Sequence, residues 1–202
     1  MPVLFALLFS LFGYLCGSLT FSIWITRFLK GVDLRDAGSG HATTTNTIRQ
    51  AGFAAGAAVL VLDIAKGFLP AWLALHYAPA GSRIWIAALT VAFAVVGHCW
   101  PVFAGFRGGM GLATGAGGLL AANPLAFLIA AAILIFLTLV IHHGARASLI
   151  TAMLLAPVYW LSGLRGPEFT MAMAGGVVLI VRWWTSWNRR YRELWLDREK
   201  PG

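Results

Sequence analysis

The sequence predicts an all-α polytopic membrane protein with about seven transmembrane helical segments, its N-terminus outside and its C-terminus cytoplasmic. Three observations carry this. Of 202 residues, 59% are hydrophobic and 11% charged, too little polarity for the surface of a water-soluble domain. The apolar stretches reach the roughly 20 residues a helix needs to cross a bilayer, and short polar joints separate them, unlike the short alternating strands of a barrel. No polar segment exceeds about 25 residues, too few for a core of its own. Residues 1–202 therefore read as a single integral-membrane domain.

The first apolar stretch, 2–26, begins MPVLFALLFSLFGYLCGS. No Lys or Arg precedes Arg27, so the basic region of a secretory signal is missing and the stretch reads as a retained span. The joint 27–51 holds Arg27, Lys30, Arg35 and Arg49, which assigns it to the cytoplasm because basic loops tend to stay inside. Spans 52–78 and 84–106 follow, joined outside at Arg83, and Arg107 returns the chain to the inside. The stretch 111–141 is too long for one straight span and is interrupted by AANPL at 121–125. Read as a helix pair turning at Asn123–Pro124, it keeps the HHGAR joint inside, and 147–163 and 168–184 then lead out past Arg165 and back. A single span would instead put the basic tail outside. The formal charge of +8 would suggest nucleic acid in a soluble protein; here it reflects loops facing anionic lipid, and no nucleic-acid partner is implied. Cys16 and Cys99 fall inside apolar runs with no metal-type spacing and read as buried thiols, so no metal or other cofactor is implied.

Four constellations could carry chemistry. In GSGHATTTN, 38–46, Gly38 and Gly40 permit positive φ, and Ser39 and the threonines offer hydroxyls. If a helix begins near Thr44, Asn46 and Arg49 share a face with Thr45 beside Arg49, an arrangement suited to a phosphate at the helix start. A Thr-capped helix start with no ligand explains the same residues equally well. In GHCWPVFAGFRGGMG, 97–111, Gly108, Gly109 and Gly111 could form a nest of N–H groups with Arg107 as counter-charge. His98 in that stretch could act as acid, base or donor, although a structural hydrogen bond is the commoner use of a lone His.

Asp63 and Lys66, three apart inside the second span, form an intramembrane ion pair that either serves a site or locks packing. The tail, 181–200, repeats Trp184, Trp187, Tyr191 and Trp195 at helical spacing with Arg189, Arg190 and Arg192 between them, as an interfacial helix does, leaving Asn188 as a site residue. Asp33 and Asp36 read as solvated loop charges. No Cys or Ser has an adjacent His base, so covalent catalysis is not indicated.

These motifs resemble those of the bacterial acyl-phosphate:glycerol-3-phosphate acyltransferases, the PlsY family. Its GSGNPGATN…R is matched at Gly38, Ser39, Gly40, Thr45, Asn46 and Arg49. Its D-x-x-K-G is matched at Asp63, Lys66 and Gly67, and GHxxPVFxxFxGGKG from Gly97 to Gly111. The resemblance implies a seven-helix, N-out protein of the bacterial inner (plasma) membrane with a cytoplasmic active face. It implies transfer of an acyl group from acyl phosphate to glycerol 3-phosphate, giving lysophosphatidic acid for phospholipid synthesis, with membrane lipid around the site and no cofactor.

On that reading Ser39, Thr45, Asn46 and Arg49 hold one phosphate, and Arg107, Gly108 and Gly109 the other. His98 and Asn188 orient the reactants, and Lys66 reaches the site or only pairs with Asp63. The chain departs from the family at His41-Ala42-Thr43-Thr44, at Met110 for the Lys of GGKG, and at Thr185 for the His three residues before Asn188. Two other readings stay open: a divergent homologue acting on another lipid phosphate or acceptor, and a non-enzymatic carrier of an anionic metabolite.

Overall fold

The computed structural model describes residues 1–188, and the tail residues Arg189, Arg190, Tyr191, Arg192 and Trp195 lie outside the described residues. The described residues form helices joined by loops, with no strand among them. In order come α1 Pro2–Gly17, α2 Phe21–Lys30, α3 Thr44–Ala51, α4 Phe53–Tyr77, α5 Arg83–Cys99, α6 Leu112–Ala122, α7 Pro124–Ile141, α8 Gly144–Leu161 and α9 Pro167–Trp184, with a short 3₁₀ turn at Val102–Ala104. Among the described residues, five stretches are long and apolar enough to cross a membrane: Pro2–Lys30, Phe53–Tyr77, Arg83–Ala104, Pro124–Ile141 and Gly144–Leu161; Leu112–Ala122 is apolar but shorter.

The helix pair expected in 111–141 is present. Asn123 closes α6 and caps α7, its side-chain oxygen accepting from Leu125 N–H at 2.9 Å, and Pro124 takes the first helical position, where its missing N–H costs nothing. The first span differs from expectation. The stretch 2–26 is not one helix: the chain breaks at Ser18–Thr20 between α1 and α2. The break survives at depth because its Leu19 carbonyl accepts from Lys66 Nζ at 2.8 Å, so the backbone is satisfied by protein where water is scarce.

Helices approach closely where glycine allows it. A Cβ on Gly13 or Gly17 of α1 would collide with the Thr90 or Ala94 carbonyl of α5, and one on Gly67 of α4 would collide with the Thr114 carbonyl of α6. Such small-residue seams are how helices pack where apolar solvent gives no hydrophobic drive. Helix α5 is consequently the most enclosed, with Val91, Val95 and Cys99 at its buried face. Helices α6, α7, α8 and α9 pack as a ring, each against the next and α9 back against α6, and they line the long apolar part of a half-open cavity.

Candidate active site

The loop between α2 and α3 is organised around Asn46, which is completely buried. Its Nδ2 donates to the carbonyls of Leu34, Ala37 and His41 at 3.2, 3.0 and 3.1 Å, and its Oδ1 accepts from Ser39 N–H at 3.3 Å. Gly38 and Gly40 take positive φ of 57° and 68°, as the sequence suggested, and a side chain on Gly38 would strike the Asn46 amide. Asn46 is therefore a loop staple. The expectation that it grips phosphate beside Arg49 is corrected: one turn of helix separates them, but Asn46 turns back into the loop while Arg49 lines the cavity. Thr43 caps α3, its hydroxyl accepting from Asn46 N–H at 3.3 Å, as the capped-helix reading expects. Ser39, Thr44 and Thr45 line the cavity with Arg49.

Asp36 is a solvated charge, its side chain 71% exposed, but Asp33 is not. The Asp33 side chain is only 14% exposed and is held by the Arg35 fork, with Nε to Oδ1 at 3.0 Å and Nη2 to Oδ2 at 2.6 Å, and by Arg27 at 2.7 Å. The Arg35 hydrogen bonds hold the Asp33 carboxyl far below the usual carboxylate range and in turn raise the Arg35 guanidinium. Arg35 Nη1 also donates to the Ala104 carbonyl at 3.0 Å. Arg107 does not reach the cavity: its Nη2 donates to the Arg35 carbonyl at 2.6 Å and to Asp36 Oδ1 at 3.1 Å. These bonds stitch the 31–43 loop to the 100–111 loop.

Gly108 and Gly109 of the second loop serve packing, and the Gly109 N–H is taken up within the protein. Gly109 N–H donates to the His98 carbonyl at 3.0 Å, and Gly108 offers its carbonyl to Ala42 N–H at 3.3 Å. A Cβ on Gly109 would collide with His98 Nε2 and the Ala42 carbonyl, and one on Gly108 with the His98 carbonyl. The expected anion cradle at Gly108 and Gly109 is thus replaced by a loop folded tightly under His98. From the other side α9 pins the same loop: Arg182 Nε donates to the Gly109 carbonyl and Trp183 Nε1 to the Met110 carbonyl, both at 3.0 Å.

His98 is buried at the end of α5 and lines the cavity. Its Nδ1 lies 3.2 Å from Thr114 Oγ1 and 3.7 Å from Asp63 Oδ1, so Nδ1 faces α4 and α6 and Nε2 faces Gly109. Asp63 and Lys66 form the expected pair at 2.8 Å, both side chains 3% exposed. Asp63 lines the cavity; Lys66 points the other way, to Leu19 and the Phe21 ring. Of the two readings of Lys66, the pairing with Asp63 is the one seen, and the same ammonium tethers the α1–α2 break.

Asn188 is exposed beyond the end of α9, its Oδ1 3.5 Å from Arg146 Nη2, while Arg146 stacks over Trp187; the structure does not bring it to the cavity lining. Thr185 bonds its own helix at the Arg182 carbonyl.

The cavity itself measures about 530 Å³. One end is polar, with Ser39, Thr44, Thr45, Arg49, Asp63 and His98; Arg49 is the only Lys or Arg lining it among the described residues. The rest is mainly apolar, with the hydroxyls of Thr138, Ser148 and Thr151 among it, and lies between α6, α7, α8 and α9 with Leu60 and Ile64 of α4 and Val91 of α5. Sequence reasoning missed this apolar chamber, the Thr114 support of His98, and the Arg182–Trp183 pin. The lone Thr in the Gly- and Ala-rich α6 was a usable signal for Thr114; nothing in sequence spacing signals the other two.

The sequence profile of the family described as Glycerol-3-phosphate acyltransferase matches residues 7–193. Among curated proteins, the glycerol-3-phosphate acyltransferase of Listeria welshimeri is 39% identical over 181 residues, covering 88% of this chain and 87% of its own. That of Salmonella arizonae is 35% identical over 198 residues, covering 94% and 92%. Among solved structures, PlsY (YgiH), an integral membrane glycerol 3-phosphate acyltransferase, superposes in its glycerol 3-phosphate form with a TM-score of 0.80 at 33% identity, over 98% of this chain and 96% of that one. Its lysophosphatidic acid form gives 0.76 at 34% identity, over 91% and 90%.

Proposed function

The chain belongs to the glycerol-3-phosphate acyltransferase family, and from that premise we propose how it works: it acylates glycerol 3-phosphate to lysophosphatidic acid, with acyl phosphate as the donor. The observation that carries this reading is the shape of the cavity. One chamber joins a polar end able to hold a phosphate to an apolar space able to hold a fatty chain, and that is the pairing acyl transfer to a phosphorylated alcohol requires.

Acyl phosphate is a mixed anhydride and already activated. The acceptor hydroxyl attacks its carbonyl carbon, a C–O bond forms, and the C–O bond to phosphate breaks with its electron pair leaving on phosphate. A substrate phosphate oxygen takes the hydroxyl proton, so no enzyme nucleophile or base is needed. What remains for the protein is alignment and support of the developing oxyanion. Arg49, Ser39, Thr44 and Thr45 are the residues we assign to the glycerol 3-phosphate phosphate: a guanidinium, hydroxyls, and the first-turn amides of α3. His98, held at Nδ1 by Thr114 and packed against Gly109, lines the polar end, where we assign it to support of the reacting groups. The residues form a single integral-membrane domain, and the Lys/Arg distribution supports the plasma membrane with the 38–49 loop on its cytoplasmic face, N-terminus out and C-terminus in. The carrier reading finds no support in a cavity whose far end is apolar.

Purified full-length protein given acyl phosphate and labelled glycerol 3-phosphate should release labelled lysophosphatidate and inorganic phosphate. Product from an acyl thioester but none from acyl phosphate would overturn the donor assignment, and no product from either would overturn the enzymatic reading.

A further inference from the structure

The apolar chamber has a measurable depth. On α7 its lining runs from Thr138 to Phe127, on α8 from Gly144 to Leu155, and on α9 from Trp183 to Met171. At 1.5 Å rise per residue each of these is about 17 Å. Three helices of different direction thus stop at one level. Beneath that level Tyr159, one turn past Leu155, is fully buried, and its hydroxyl donates to the Ala126 carbonyl at 2.6 Å, beside Phe127. That bond ties α8 to α7 directly under the chamber. Met171 at the same level is 1% exposed.

We propose that this floor of Phe127, Leu155 and Met171, braced by Tyr159, sets the acyl-chain length the protein accepts, with a limit near 14 carbons. The proposal rests on the acyl-transfer reading for its biological meaning. An extended chain advances about 1.25 Å per carbon, from the tetrahedral geometry of a 1.5 Å C–C bond, so about 17 Å holds about 14 carbons. Each methylene inside the chamber strengthens binding by roughly fourfold, and a methylene that meets the floor adds nothing.

Gly175 offers a way to raise the floor. It lines the chamber one turn nearer the polar end than Met171, and an added Cβ meets only Val91 Cγ1 at 3.6 Å, an ordinary contact. Leu155→Ala lowers the floor instead. The test measures affinities of single-chain alkyl phosphonates, which cannot transfer a chain, for the purified full-length protein across a series of lengths. In the wild type affinity should climb by roughly fourfold per carbon and level off near 14 carbons. Gly175→Leu should bring the levelling point down by about 4 carbons, and Leu155→Ala should raise it by about 1 or 2. An affinity that keeps climbing well past the limit in the wild type, or a levelling point that neither variant moves, overturns the proposal. A wild type that levels off as expected yet turns over no acyl phosphate supports the ruler and overturns only the acyl-transfer reading.

Discussion

Replacing Asn46 with Ala separates a loop staple from a phosphate ligand. The change removes donors from the Leu34, Ala37 and His41 carbonyls and an acceptor from Ser39 N–H. Two of these four bonds, to Leu34 and Ser39, are fully buried. A buried group left unsatisfied costs about 1–3 kcal/mol, whereas the two partly buried carbonyls regain water at little net cost, so the loss is about 3 kcal/mol. For a chain of this size that corresponds to a fall in Tm on the order of 5–10 °C. The assay is thermal unfolding of purified protein, in parallel with the KM for glycerol 3-phosphate. Asn46→Asp should be at least as damaging, because a carboxylate would face three carbonyl oxygens. An unchanged Tm with a raised KM would refute the argument and return Asn46 to the substrate.

Arg49→Ala should raise the glycerol 3-phosphate KM by about 10–100-fold, the worth of lost charge-assisted hydrogen bonds, and an unchanged KM would remove Arg49 from the site. Lys66→Met leaves Asp63 buried without its cation and should destabilise by about 3–5 kcal/mol in thermal unfolding, partly recovered by the Asp63→Asn/Lys66→Met double variant. No recovery would mean that the Leu19 contact, not the ion pair, dominates. Because the Arg35 fork depresses the Asp33 carboxyl, its stabilisation is complete above the unfolded value of about 3.9 and drains away as pH falls below it. The Tm of the wild type should therefore drop more steeply below about pH 4 than that of Asp33→Asn, and parallel profiles would contradict this. Met110 lines the cavity, so Met110→Lys should lower the KM of a phosphate substrate by about threefold or more, and an unchanged KM in a folded variant would show that Met110 is not where binding is weak.

Much of the local structure was legible. Pro124 cannot continue a helix from α6, and Asn123 can cap the next, so the turn follows from two residues. Gly38 and Gly40 announce left-handed backbone, and Asp63 and Lys66 can only face each other at that spacing. The site was less legible because its residues were assigned by type and proximity in sequence. Arg107 is a cation beside glycines, but Arg35 and Asp36, some seventy residues earlier, claim it. Gly109 is free to turn, but the His98 ring above it needs the space more than a ligand does. The break at Ser18–Thr20 was hidden because the Leu19 carbonyl is satisfied by Lys66, on another helix.

The sequence by itself determined what composition and short-range geometry control: an all-helical membrane protein, where most helices turn, and which polar motifs stand apart from the apolar background. Tertiary structure alone decided which way each polar side chain points. A spacing of three or four residues says that two side chains share a helix face, but not whether that face meets a cavity or a neighbouring loop; the rotation is set by the close seams at Gly13, Gly17 and Gly67. The chamber and its floor are the extreme case. They are a space between several helices, and no residue's identity records an emptiness that exists only once all of them are packed.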